Sequence, residues 1–145
     1  MMRAFAPIAA MLIATGCQQH DVTVEHPWVR LSAVPANPSA AYFTLKGGAK
    51  DETLTAVAAP AAQRAEMHES MGSGGMMTMT PVKLVAVRAG DSVEFKPGGK
   101  HVMLFGLNPA VKPGTTTPLI LTFASGRTAT VKARIVGAGD PAPGD

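Results

Sequence analysis

The sequence predicts a single-domain, all-β fold, a Greek-key sandwich of about nine short strands, on three observations. The 145 residues are enough for one hydrophobic core. Twelve prolines and fifteen glycines punctuate short runs rich in Val, Thr, Leu and Phe, the pattern of strands joined by tight turns. No stretch has the 3.6-residue apolar period of an amphipathic helix. Runs of this length at this spacing build two stacked sheets rather than helical layers.

The elements follow in order. Residues 22–24 and 28–31 open the fold, and residues 41–45 (Ala-Tyr-Phe-Thr-Leu) form a strand turned by Gly47-Gly48. Residues 54–57 form the next strand, and residues 58–62 have room for one helical turn. Residues 64–71 and 76–80 flank Gly72-Ser73-Gly74-Gly75 and read as a hairpin; residues 83–88 and 92–96 flank Gly90-Asp91 and read as another. Residues 101–107 follow a Pro97-Gly98-Gly99 turn, and residues 119–123 and 128–136 flank Ser125-Gly126-Arg127 as a third hairpin. From Gly137 onward there is little to bury, so residues 137–145 are expected to be a disordered tail.

The N-terminus has a different character. After Met1-Met2-Arg3, residues 4–14 are an apolar run of 11 residues. That is too short for a permanent membrane helix and suits the apolar region of an export signal. It ends Leu12-Ile13-Ala14-Thr15-Gly16-Cys17, which resembles a bacterial lipoprotein cleavage site. Residues 1–16 are therefore expected to be a signal peptide, with Cys17 the lipidated first mature residue and 17–21 a tether carrying His20. The mature protein is expected in the periplasm, held to a membrane by the lipid. Cys17 is the only cysteine, so once it is lipidated no thiol remains for a disulfide, a metal or nucleophilic catalysis. The net charge is +3, without the Lys/Arg run of a nucleic-acid-binding surface.

The unusual feature is methionine. Nine are present, and five lie between Met67 and Met79. Strand alternation places His101 and Met103 on one side of their strand and Met77 and Met79 on one side of theirs. The hairpin around residues 72–75 brings the strand of Met79 beside that of His68, so the two strand pairs can converge on two imidazoles and two thioethers. Thioether sulfur is soft and uncharged and favours Cu(I) over Zn(II), Mg(II) or Ca(II). Such a set holds copper without an oxidation-prone thiolate and leaves the ion exchangeable. Met67 alternates with His68 and is expected in the core, as is usual for methionine. Met71, Met76 and Met77, in or beside the glycine-rich turn, are candidate auxiliary donors. His20 and His26 read as surface or hydrogen-bonded histidines, and Trp28 and Tyr42 as core or near-core aromatics. Glu66 and Glu69 flank His68 and are placed either to orient its ring or as solvated strand charges.

Ten residues separate His68 from Met79, twenty-one separate Met79 from His101, and one separates His101 from Met103. This H-x10-M-x21-H-x-M pattern resembles the signature of the periplasmic copper chaperones called PCuA(C). So do His26-Pro27-Trp28-Val29-Arg30, residues 40–45, residues 96–104 and residues 118–123, and the likeness runs from about Val22 to Val136. Lys100 stands where that family often has an aromatic residue and Lys46 where a polar amide is common; neither is a ligand. The resemblance implies a cupredoxin-like sandwich that binds Cu(I) through His68, Met79, His101 and Met103. It also implies delivery of copper to the CuA centre in subunit II of cytochrome c oxidase, together with a thioredoxin-like Sco protein. A monomer without enzymatic activity is expected. The alternative is a copper-storage or copper-tolerance lipoprotein using the same ligands. A blue-copper electron carrier would need a cysteine thiolate, and no Ser-His-Asp or paired-carboxylate arrangement suggests catalysis.

Overall fold

The computed structural model describes residues 20–144; the expected signal peptide and Cys17 lie outside them. The described residues form ten strands: β1 Thr23–Arg30, β2 Ser39–Lys46, β3 Glu52–Ala58, β4 Arg64–Ser73, β5 Met76–Pro81, β6 Val85–Val87, β7 Ser92–Phe95, β8 Lys100–Phe105, β9 Thr116–Phe123 and β10 Thr128–Val136. No helix occurs among them, and residues 59–62 form a turn closed by Ala62 N–H donating to the Ala59 carbonyl. The all-β, single-domain expectation holds. The predicted runs 22–24 and 28–31 are one strand, β1, interrupted by a bulge between Glu25 and Trp28. His26 takes φ +50° there and Pro27 follows it, a local break that shifts the register without ending the strand.

Two halves of the chain are joined by hydrogen bonds into one sheet, in the order β5-β4-β8-β7-β2-β1-β10-β9-β3-β6, with β8 also pairing with β2. The join is the parallel pair β1–β10, with Trp28 opposite Arg134. Period-2 alternation decides which side chains enter the core. On β2, Ala41, Phe43 and Leu45 are buried; on β9, Leu119, Leu121 and Phe123 are. These residues belong to a single cluster with Val29, Leu54, Met67, Val102, Leu104 and Ile135, so the sheet rolls around one core. Phe43 and Phe95 stack inside it with centroids 4.4 Å apart.

The hairpins around residues 72–75 and 124–127 form as expected, with Ser73 opposite Met76 and Thr122 opposite Thr128. The hairpin expected around Gly90-Asp91 does not. The turn exists, closed by Asp91 N–H donating to the Arg88 carbonyl, but its two arms separate. β6 pairs with β3 at one edge of the sheet, while β7 pairs with β2 near the middle. The turn is held against the Gly47-Gly48 turn instead: Gly47 N–H donates to the Asp91 carbonyl, and a Cβ on Gly47 would overlap the Arg88 carbonyl oxygen. Val85, Val87 and Phe95 each gain a fully walled core position this way. Residues 137–144, expected as a disordered tail, have no strand or helix but are tied to the sheet. Arg30 donates to the Asp140 carbonyl (3.2 Å) and Arg134 to that of Gly144 (2.8 Å).

Candidate metal centre

Three adjacent strands, β5, β4 and β8, build the site at one end of the sheet. The apolar residues Met67, Val102 and Leu104 turn into the core, so their neighbours His68, His101 and Met103 turn to the outer face. The antiparallel register of β4 and β8 sets His68 directly opposite His101 and Glu66 opposite Met103. Across the hairpin, Ser70 is opposite Met79 and Gly72 opposite Met77. Opposed residues share a face, so His68, His101, Met103, Met79 and Met77 all lie on the outer face of these strands. Met103 and Met79 are each diagonal to His68, on opposite sides.

The two imidazoles lie close together. Their ring centroids are 6.1 Å apart, with planes 27° from parallel. The His101 Nδ1 lies 3.0 Å from the Gly99 carbonyl; a carbonyl only accepts, so Nδ1 carries the proton and Nε2 keeps its lone pair. The His68 Nε2 lies 3.2 Å from Glu66 Oε2, which by the same logic leaves the lone pair on Nδ1. Both lone-pair atoms, His68 Nδ1 and His101 Nε2, are buried without a hydrogen-bond partner. Leaving buried polar nitrogens unpaired costs free energy, and a metal ion removes that cost. A ring nitrogen sits about 1 Å from the ring centre and binds a metal at about 2 Å, so two rings sharing one ion have centres up to about 6 Å apart. The observed 6.1 Å is at the upper limit of that span.

Electrostatics supports the arrangement. The Glu66 carboxyl is held below its usual range first by its hydrogen bond with His68, then by the charge of Arg64, whose Nε lies 2.7 Å away. Of the two flanking glutamates, Glu66 is therefore the one that orients the ring. Glu69 faces the other side and pairs with Lys100 at 3.2 Å. The Gly99 carbonyl, which sets the His101 ring, was not foreseen; a backbone acceptor leaves no side-chain signal in a sequence. Among the described residues no three His, Cys, Asp or Glu side chains gather to hold a metal; the residues on the shared face are two histidines and the methionines beside them.

Accessibility is graded. His101 is 5% exposed, the His68 side chain 13% and Met79 59%, so the site is open towards the hairpin. Of the auxiliary candidates, Met77 shares the face of the site. Met71, opposite Thr78, and Met76, opposite Ser73, lie on the reverse face. Met67 is buried, as are Trp28 and Tyr42, whose rings pack with centroids 4.5 Å apart. His26 sits on β1 in a cleft of about 350 Å³ with Trp28, Lys132 and Arg134, away from these three strands.

Comparison with known proteins places the chain. The profile of the family described as "Putative lipoprotein LpqE-like" matches residues 22–135. The chain belongs to the LpqE-like family. A relative from Leifsonia xyli subsp. xyli (strain CTCB07), named "Putative lipoprotein Lxx21020", is 28% identical over 146 residues, covering 90% of this chain and 87% of its own. Among solved structures, the chain is similar to DR1885 of Deinococcus radiodurans, determined in solution as the CuI form. The two are 31% identical over 83% of this chain and 82% of that one, with a TM-score of 0.63. It shares the fold of the copper-bound PCuAC domain of PmoF2, at 18% identity, 82% and 95% coverage and a TM-score of 0.67. The PCuA(C) likeness carried by the motif is thus matched by the fold of this LpqE-like protein.

Proposed function

We propose that this protein is an exported carrier of Cu(I), binding the ion through His68, His101, Met79 and Met103 and passing it to another protein. The observation that carries the reading is the pair of buried, unpartnered imidazole nitrogens on facing strands, with ring centroids 6.1 Å apart. Each ring is locked in one tautomer by an acceptor on its far side, Glu66 for His68 and Gly99 for His101, an outer contact that typically tunes a metal ligand. The diagonal thioethers add soft donors without charge, which favours a monovalent soft ion. The CuI form of the 31%-identical DR1885 supports the same cargo.

Delivery rather than permanent retention suits this donor set. No ligand is anionic, so the ion leaves without parting from a thiolate, and Met79 is open to solvent. The proposed destination is the CuA centre of cytochrome c oxidase subunit II, with a Sco-type protein as co-worker. The proposed location is the periplasm, with a lipid on Cys17 holding the protein to a membrane. No catalytic step is assigned to the site.

The binding is tested by anaerobic titration of the folded protein with cuprous ion against a chromogenic Cu(I) chelator. One equivalent retained per chain supports the reading, and a metal-free protein at excess copper refutes it. A deletion strain tests the destination: loss of oxidase activity at low copper supports delivery. Normal oxidase activity with reduced survival at high copper points instead to copper storage or tolerance.

A further inference from the structure

We infer that Met77 forms an outer thioether station through which Cu(I) enters and leaves the His68–His101 site, an inference that rests on the proposed function. The register puts Met77 two residues outward of Met79 on the same face of β5, opposite Gly72 of β4. Two residues along a strand span roughly 7 Å, so the two sulfurs form a row leading from the imidazoles to the hairpin tip. The Met77 Sδ lies 3.5 Å from the point where a Cβ on Gly72 would stand, ordinary contact distance, so the Met77 thioether lies over Gly72 of β4.

Exposure rises along the row, from 5% at His101 to 59% at Met79 and 65% at Met77. Residues 70–82 contain no charged side chain, so the hairpin itself adds neither a repelling cation nor a carboxylate that would hold a hard ion. An exposed methionine at the sheet edge gains little from burial, whereas a soft donor there gives copper its first or last protein ligand. The step is a ligand exchange without electron transfer. A bond from Met77 Sδ to Cu(I) forms while a bond from an imidazole nitrogen breaks, Met79 stays bound through both, and copper remains monovalent. The freed nitrogen keeps its lone pair. Met71 and Met76 are also exposed but lie on the reverse face, so they take no part.

The test loads the protein anaerobically with one equivalent of Cu(I) and mixes it in a stopped-flow cell with excess bathocuproine disulfonate. Met77→Leu keeps the apolar volume on an exposed strand and leaves the core untouched. It is expected to slow copper transfer by about fivefold or more while weakening equilibrium affinity far less, and Met71→Leu is expected to transfer at close to the unmutated rate. Transfer by Met77→Leu at the unmutated rate overturns the inference. So does equal slowing in Met71→Leu, or a loss of affinity in Met77→Leu as large as that in Met79→Leu, which would make Met77 a resident ligand. An unmutated protein that takes up no Cu(I) sinks the proposed function instead, a separate outcome seen at the loading step.

Discussion

Replacing Glu66 isolates the outer contact that sets the His68 ring. Its Oε2 accepts from His68 Nε2 at 3.2 Å while Arg64 Nε lies 2.7 Å from its other oxygen. Outer partners of metal-bound histidines are typically worth about 10–100-fold in affinity. Here the contact is long and the Glu66 side chain 41% exposed, which places Glu66→Ala near the low end, about tenfold weaker Cu(I) binding. Glu66→Gln keeps an acceptor and loses only the charge, so its loss is expected to be about threefold, below the roughly 10–100-fold of removing an outer contact altogether. Neither change touches the buried cluster, so both variants are expected to fold, with only a small fall in the thermal midpoint at neutral pH from loss of this half-exposed carboxylate. The assay is competition with a chromogenic Cu(I) chelator at neutral pH, with circular dichroism as the folding control. Unchanged affinity in Glu66→Ala, alongside loss of binding in His68→Ala, would refute the claim that this carboxylate orients the ring. A larger loss in Glu66→Gln than in Glu66→Ala would refute the ranking.

Removing a direct donor is expected to cost more: His68→Ala and Met103→Ala should each weaken Cu(I) binding by more than the roughly 10–100-fold of an outer contact, with the fold intact by circular dichroism. Protons and Cu(I) compete for the same imidazole lone pairs, so affinity should fall on acidification, read from copper retained across a pH series; a flat profile would remove the imidazoles from the site. In the apo-protein, the lowered Glu66 carboxyl contributes stability that is present above its ordinary value of 4.5 and lost as pH falls through the depressed one. Glu66→Gln should therefore flatten the acid side of the thermal midpoint against pH. Leu121→Ala empties a fully buried position on β9 and is expected to cost about 2–5 kcal/mol, measured by denaturant unfolding, without changing copper stoichiometry in the folded fraction.

Some of the site is local in origin. His101 and Met103 share a face because strand side chains alternate with period two, and no partner strand is needed to know it. Met67 and His68 face opposite ways for the same reason, and apolar Met67 takes the core. The turn at residues 72–75 likewise fixes which strand lies beside β4 on one side, since a short glycine-rich loop leaves the chain no other path. The likeness of the H-x10-M-x21-H-x-M spacing to the PCuA(C) signature added what alternation alone does not show, by implying that Met79 and the two histidines act together.

The strand runs, their alternation, the β4–β5 hairpin and the soft character of the donors were all decided by the sequence itself, because each depends on residues close in the chain. Pairing across distance belonged to the tertiary structure. It placed His68 opposite His101 on β8, gave Glu66 rather than Glu69 to the ring, put Met77 but not Met71 or Met76 on the face of the two histidines, and sent β6 and β7 to different strands. The physical reason is that a sheet's register is chosen by the whole core at once. Val85, Val87 and Phe95 go where apolar walls await them, and a local turn signal such as Gly90-Asp91 bends the chain without choosing its neighbours.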